Sequence, residues 1–179
     1  MFVAFYTGTS KGWPGLVDVA IRKVLHGDYS HCELVFESGD GADHLMPDNT
    51  CSILANGAHW CASSSMMDRM PTWSKRAGEL GGVRFKRIVL KWDHWIMVKV
   101  KTDPIKVAEW FVANEGMRYA IKGTIAHAFP FIRHTDGTAN CTHATASALG
   151  YKQAERFNPC NLYVTLEHAS NAVYQTVKV

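Results

Sequence analysis

The sequence lacks the features of a membrane-spanning or disulfide-bonded protein. No stretch approaches the ~20 consecutive apolar residues that a transmembrane helix needs. The first residues, MFVAFYTGTSKGWPG, lack the charged start and continuous apolar core of a signal peptide. The five cysteines are odd in number and form no CxxC pair. We therefore expect no transmembrane segment, reduced thiols and a cytoplasmic location.

Internal repeats, low-complexity segments and a strong charge imbalance are also absent. The 19 basic and 16 acidic residues give a net charge of +3, which without a clustered basic stripe does not indicate a nucleic-acid partner. The densest basic stretch is RFKRIVLKWDHWIMVKVK (residues 84–101). Its alternation predicts strands with a solvated outer face, and an anionic partner is the alternative.

The composition is that of a folded protein, with 47% apolar and 20% charged residues. A chain of 179 residues is long enough to bury one hydrophobic core. We therefore predict a single domain over residues 1–179.

The hydrophobic patterns predict strands and helices that do not alternate regularly. Predicted strands are FVAFYT, HCELVFE, AHWCASSS, GGVRFKRIVLKW and WIMVKVK. We place AHWCASSS beside the first strand. Predicted helices run from Leu16 to Gly27, from Asp103 to near Gly116, from Asn140 to Gly150 and from Asn158 onward. Residues 41–58 are expected to be an insertion or irregular hairpin, and residues 66–80 a loop or short helix. This order predicts an α+β fold with an antiparallel sheet packed against helices.

Cys141 is the first candidate for catalysis, because it follows the capping residue Asn140 at a predicted helix start. Backbone N–H groups and the helix dipole favour a thiolate at such a position. The same N–H groups could stabilise an oxyanion. The alternative is that Cys141 is a small buried apolar residue.

A cysteine nucleophile needs a base, and among nine histidines His31 in YSHCELVF is the best placed. The alternative is a hydrogen-bonded structural histidine. Cys32 follows His31 on the same predicted strand, so it should point to the opposite face and pack in the core.

The order of these motifs resembles the circularly permuted, papain-like branch of the NlpC-type cysteine hydrolases, the group related to lecithin:retinol acyltransferase. In that branch a strand carrying SH comes first, and a cysteine at a helix start comes late. AFYTG is similar to the opening strand, CASSS and GGVRFKRI to the third and fourth strands, NEGMRYAIKG to the segment before the nucleophile, and FNPCNLYVTL to the closing helix. The resemblance implies a permuted papain-like fold. Several bacteriophage proteins belong to this branch, and a viral origin would place the protein in the host cytoplasm or the virion.

The resemblance also implies a thiol peptidase, amidase or acyltransferase without a cofactor. Cys141 matches the nucleophile and His31 the general base. The substrate would be an amide, ester or thioester of a peptide, peptidoglycan or lipid.

The family's third polar residue, which orients the histidine, normally precedes an Ala-Ser pair. Here that position holds Cys61, a poor orienting group. His59 lies two residues earlier on the same predicted face, and Glu33 lies two residues after His31. We rank His59 above Glu33, and a dyad without an orienting residue is the alternative.

Three further residues are candidates for substrate binding. His143 and its neighbour Thr142 stand where many members of the family carry Glu and Ser. Tyr6 and Tyr119 line the cleft by the same resemblance, and the alternative for both is a core aromatic with a bonded hydroxyl.

Two other functions compete with catalysis. Cys141, His143, His31 and Cys32 carry atoms that bind zinc, although their spacing matches no common zinc motif, and we predict no metal. The other alternative is a binding or virion module that keeps the fold and uses its cleft for a peptide, lipid or glycan.

Overall fold

A computed structural model describes residues 1–122 and 135–176 as a mixed α+β fold. A five-stranded antiparallel sheet is formed by β1 (Phe2–Tyr6), β2 (His31–Val35), β3 (Ala58–Arg69), β4 (Leu80–Val89) and β5 (Trp95–Lys99). The described helices are α1 (Trp13–Leu25), α2 (Pro104–Ala113), α3 (Cys141–Ala148) and α4 (Pro159–Thr176). Two short strands, β6 (Arg118–Tyr119) and β7 (Thr138–Ala139), pair in parallel. The predicted α+β class and antiparallel sheet are confirmed.

The strand order is β4-β3-β2-β1-β5, so β2 lies at the centre of the sheet. β1 pairs with β2 and β5, whereas β3 pairs with β2 and β4. The expectation that AHWCASSS lies beside the first strand is therefore wrong. Tyr6 pairs with His31, which places both residues at the same end of the sheet.

The two faces of the sheet differ, because successive side chains on a strand point to opposite sides. One face packs with the helices in the main core, which includes Val3, Phe5, Leu34, Phe36, Val83, Phe85, Phe111 and Leu162. The other face has a small apolar cluster of Ala4, Val35 and Cys61. His31 and Glu33 alternate with Cys32 and Leu34, so they lie on this second face.

α2, α3 and α4 begin where the sequence signals predict, whereas α1 begins at Trp13, before the predicted start at Leu16. Asp103 caps α2 by accepting a hydrogen bond from the Ile105 N–H at 3.1 Å. Val107, Ala108 and Phe111 form the buried side of α2, whereas Ile105 and Val112 are exposed. In the described part of the chain, no helix is both long enough and apolar enough to cross a membrane.

Two segments without a clear sequence signal are irregular or extended. Residues 41–58 contain a single short 3-10 turn, Asp43–Leu45, in place of a hairpin. The Asp43 carboxylate accepts a hydrogen bond from the Cys51 N–H at 2.7 Å and fixes this loop. β3 continues to Arg69, where it pairs with Leu80, so the predicted loop or short helix over residues 66–80 is partly strand.

Candidate functional site

Cys141 is the first residue of α3 and lies almost completely inside the protein, with 5% of its surface exposed. The Asn140 side chain caps this helix by accepting a hydrogen bond from the His143 N–H at 2.8 Å. The thiol therefore lies at the positive end of the helix, as the sequence predicted. α3 packs against the helix-facing side of the sheet next to β2.

The surroundings of the Cys141 thiol favour the thiolate. Its pKa lies well below the usual thiol range, first because of a hydrogen bond with the Cys32 thiol. The positive charge and hydrogen bond of His31, together with the Cys32 backbone N–H, add to this effect and outweigh the opposing cost of burial. Cys32 is buried in the core as predicted, but it also contacts the nucleophile candidate.

His31 interacts with both Cys141 and Glu33. Its Nε2 atom lies 2.8 Å from Oε1 of Glu33, which leaves Nδ1 as the ring nitrogen for Cys141. Burial opposes a charged ring, but the charge and hydrogen bond of Cys141 and those of Glu33 raise the pKa of His31 to about 10. The geometry therefore supports a thiolate and imidazolium pair at neutral pH.

Glu33 is a buried carboxylate, 1% exposed, that is paired in turn with Arg84, 2% exposed. The two Arg84 N–H₂ groups donate to the two Glu33 oxygens at 2.8 and 2.6 Å. Burial would raise the pKa of Glu33, but Arg84 and His31 lower it to about 2. Glu33 therefore remains an anion throughout the neutral range.

Arg84 also binds a second carboxylate, that of Asp68. The Asp68 Oδ2 atom accepts hydrogen bonds from Arg84 at 2.7 and 3.1 Å, and Oδ1 accepts one from Lys86 at 2.7 Å. Against the effect of burial, these two cations hold the pKa of Asp68 below its usual range. A continuous row of alternating charges therefore runs from His31 through Glu33, Arg84 and Asp68 to Lys86.

The strand register explains why Arg84 can reach Glu33 across β3. Leu34 pairs with Ala62, which places Glu33 opposite Ser63, and Ser63 pairs with Arg84. Ser63 is small and completely buried, and its hydroxyl donates to the Cys32 carbonyl at 2.7 Å. The guanidinium can therefore extend over the serine to the carboxylate.

The same register corrects the expectation for His59. Cys61 pairs with Val35, so neither Cys61 nor His59 is level with His31. The register instead brings Ser65 level with His31, and His59 lies about 20 Å from that point along β3 at ~3.3 Å per residue. Glu33, ranked second, is the residue that contacts the ring. The strand register could not be derived from the sequence pattern alone.

Two adjoining cavities lie beside these residues. A cavity of about 590 Å³ is lined by His31, Glu33, Tyr6 and Tyr119. A smaller one of about 30 Å³ reaches Cys141, and Tyr119 lines both. The structure therefore places both predicted tyrosines at the cleft.

His143 lies on the other side of α3 from the thiol. Two residues along a helix correspond to a rotation of about 200°, so the side chain of His143 leaves the helix away from Cys141. Its backbone N–H contributes to the cap of Asn140.

Replacing Glu33 with glutamine should lower the pKa of His31 from about 10. The amide keeps the shape of the side chain but removes the negative charge that favours the imidazolium. Titration of the His31 ring by NMR would measure the change, with Asp48→Asn as a control for an exposed carboxylate. An unchanged His31 pKa in a folded Glu33→Gln protein would contradict a role of Glu33 in holding the charged ring.

Residues 1–122 and 135–176 contain no group of three or more His, Cys, Asp or Glu side chains that could hold a metal ion such as zinc. The Cys141 thiol instead forms hydrogen bonds with the side chains of Cys32 and His31. The arrangement supports acid–base and nucleophilic chemistry at the thiol.

Arg84 and Asp68 are the residues that sequence interpretation missed. Arg84 belongs to the basic stretch assigned to a solvated outer face, and its near-complete burial corrects that assignment. The available signal was Glu33 itself, because a carboxylate within the apolar strand HCELV requires a buried cation.

Comparison of the chain with protein-family models, with curated proteins and with solved structures finds no match.

Proposed function

We propose that the protein is a cysteine-dependent acyl hydrolase or acyltransferase, with Cys141 as nucleophile, His31 as general acid and base, and Glu33 as the group that orients His31. One observation carries the proposal: the Cys141 thiol at a helix start contacts an imidazole whose other nitrogen is held by a buried carboxylate. This is the arrangement that nucleophilic catalysis by a thiol requires.

Acylation begins with attack of the Cys141 thiolate on the carbonyl carbon of the substrate. A C–S bond forms, and the carbonyl electron pair moves to oxygen. Backbone N–H groups at the start of α3 would stabilise the oxyanion. As the bond to the leaving group breaks, the His31 imidazolium gives its proton to the departing nitrogen, oxygen or sulfur.

Deacylation uses neutral His31 as a base. It takes a proton from water, or from the hydroxyl or amine of an acceptor, as that molecule attacks the thioester carbonyl. The C–S bond breaks, and the thiolate and imidazolium pair is restored. Glu33, kept ionised by Arg84, stabilises the charged ring in both steps.

The permuted papain-like, NlpC-type fold is part of the same proposal. The histidine strand β2 precedes the cysteine helix α3, and helices pack on one face of an antiparallel sheet. Amides, esters and thioesters of peptides, peptidoglycan and lipids are the substrates that this resemblance implies. A bacteriophage origin, with the protein in the host cytoplasm or the virion, belongs to the same hypothesis.

Incubation with an activated ester, p-nitrophenyl acetate, should leave one acetyl group on Cys141. The low thiol pKa and the adjacent imidazolium favour attack by this cysteine over the other four thiols. Mass spectrometry of the intact protein and its peptides measures the adduct. Cys141→Ala should lose it, and Cys160→Ala, a change at a partly exposed thiol, should retain it.

Acetylation at Cys160 alone would contradict the proposal. A folded wild-type protein that neither retains an acetyl group on Cys141 nor releases p-nitrophenolate faster than Cys141→Ala would also contradict it. The cleft would then be better explained as the binding surface of a non-catalytic module.

A further inference from the structure

The helix α1 is attached to the rest of the protein by its polar side chains. The Asp18 carboxylate accepts hydrogen bonds from the Ser10 N–H at 3.0 Å and the Ser30 hydroxyl at 3.1 Å. Arg22 donates to three acceptors in the loop before the helix, the carbonyls of Thr7 and Gly8 and the hydroxyl of Thr9. In most amphipathic helices of soluble proteins the apolar face makes these attachments.

The opposite face of α1 presents large apolar side chains to solvent. Trp13 is 68% exposed, Leu16 64% and Val24 49%. At ~100° per residue these three side chains lie on one half of the helix. Much of the apolar surface of α1 therefore points away from the core.

This exposed face continues to the cleft. Val17 and Ile21, at its border, line the cavity that contains His31 and Glu33. Ile21 also lines the smaller cavity at Cys141. Whatever covers the exposed face of α1 therefore lies at the entrance to the candidate active site.

The charges on and beside this face favour an anionic surface. Lys23 lies on the exposed face and Lys11 precedes the helix, and both are exposed. The one acidic residue of α1, Asp18, is turned toward the protein. Exposed tryptophan and aliphatic residues flanked by lysines are typical of helices that lie in the surface of a lipid bilayer.

The size and shape of the face also favour a bilayer over a protein partner. Thirteen residues at ~1.5 Å rise and about 10 Å width offer roughly 200 Å². A stable protein interface needs about 800 Å² from each partner. A convex helix face can bury its apolar side chains in a bilayer without reaching such a minimum contact area.

We propose that α1 docks on an anionic lipid bilayer through Trp13, Leu16 and Val24 and holds the cleft at the membrane surface. The polar contacts of Asp18 and Arg22 keep the helix oriented with this face outward. The inference does not depend on the proposed catalysis, because binding requires no turnover.

Sedimentation with lipid vesicles tests the proposal. The full chain is mixed with vesicles of phosphatidylcholine alone or of phosphatidylcholine and phosphatidylserine at about 3:1, a composition that gives a negative surface. We expect binding to the anionic vesicles that weakens with salt. Leu16→Glu should reduce the partition coefficient by about tenfold or more. Val164→Glu, at an exposed valine of α4, should not change it.

Several outcomes would overturn the proposal. One is a folded wild-type protein that binds neither vesicle, and another is equal loss for Leu16→Glu and Val164→Glu. A third is dimerisation in solution that Leu16→Glu abolishes without vesicle binding, which would assign the face to a second copy of the chain. Cys141→Ala should bind vesicles like the wild type, so failure of the catalytic proposal is distinguishable from failure of this one.

Discussion

Replacing His31 with alanine is expected to slow alkylation of Cys141 by iodoacetamide at pH 6 by between about ten- and a hundredfold. Without the imidazolium, Cys141 loses a major source of thiolate stabilisation and its pKa rises. A thiol with a pKa near the ordinary ~8.5 is only about 0.3% ionised at pH 6. The greater intrinsic reactivity of a more basic thiolate offsets part of this loss.

The rate at Cys141 is measured by mass spectrometry across pH, and Cys160 in the same molecule serves as the reference thiol. In the wild type, labelling of Cys141 should stay fast well below neutral pH, where labelling of an ordinary thiol declines about tenfold per pH unit. His59→Ala is the matched histidine control. His59 lies on β3, about 20 Å from the position on that strand that is level with His31. Equal rates in His31→Ala and wild type would exclude an activated pair.

Replacing Arg84 with methionine should reduce the free energy of unfolding by about 3–5 kcal/mol. The substitution leaves the Glu33 carboxylate buried without its bidentate partner and deprives Asp68 of the more buried of its two cations. The pKa of Glu33 should rise, since Arg84 is the main cause of its depression. Urea unfolding at neutral pH measures the loss.

Lys86→Met is the matched control, because Lys86 lies on the same strand and binds the same Asp68 but is half exposed. It should reduce the free energy of unfolding by less than about 1 kcal/mol.

The pH dependence of stability gives a second measure. Glu33 stabilises the wild type fully above its ordinary pKa of 4.5, and that stabilisation is lost as pH falls toward 2. Arg84→Met should show a smaller change over that range, and similar losses for the two variants would contradict the importance of burial.

The helix start at Cys141 and the strand that begins at His31 were predictable because each has a local signal. Asn140 before Cys141 is a capping pattern, and the cap is present. His31 opens a strand whose alternation is short and unambiguous, and it contacts Cys141. Both inferences used only residues that are neighbours in the sequence.

Glu33 and its partner Arg84 could be identified only from contacts between strands. Choosing Glu33 over His59 requires the register of β2 on β3, and finding Arg84 requires the register of β3 on β4. A strand pattern specifies which residues share a face but not how far one strand has slid along another. The outward direction of the apolar face of α1 was also missed. Asp18 and Arg22 hydrogen-bond to the loop before the helix, and hydrophobic periodicity does not reveal such contacts.

The buried charges across three strands also determine how the chain can fold. A slip of β4 by one residue would turn Arg84 to the helix-facing side and bring Val83 or Phe85 opposite Ser63. Glu33 would then be a buried anion that has lost its bidentate arginine, at a cost of several kcal/mol. Misregistered sheets are therefore disfavoured, and they would also lack a properly held His31. A fast-reacting Cys141 consequently reports that the sheet has assembled in its native register, which makes the thiol a probe of folding as well as of chemistry.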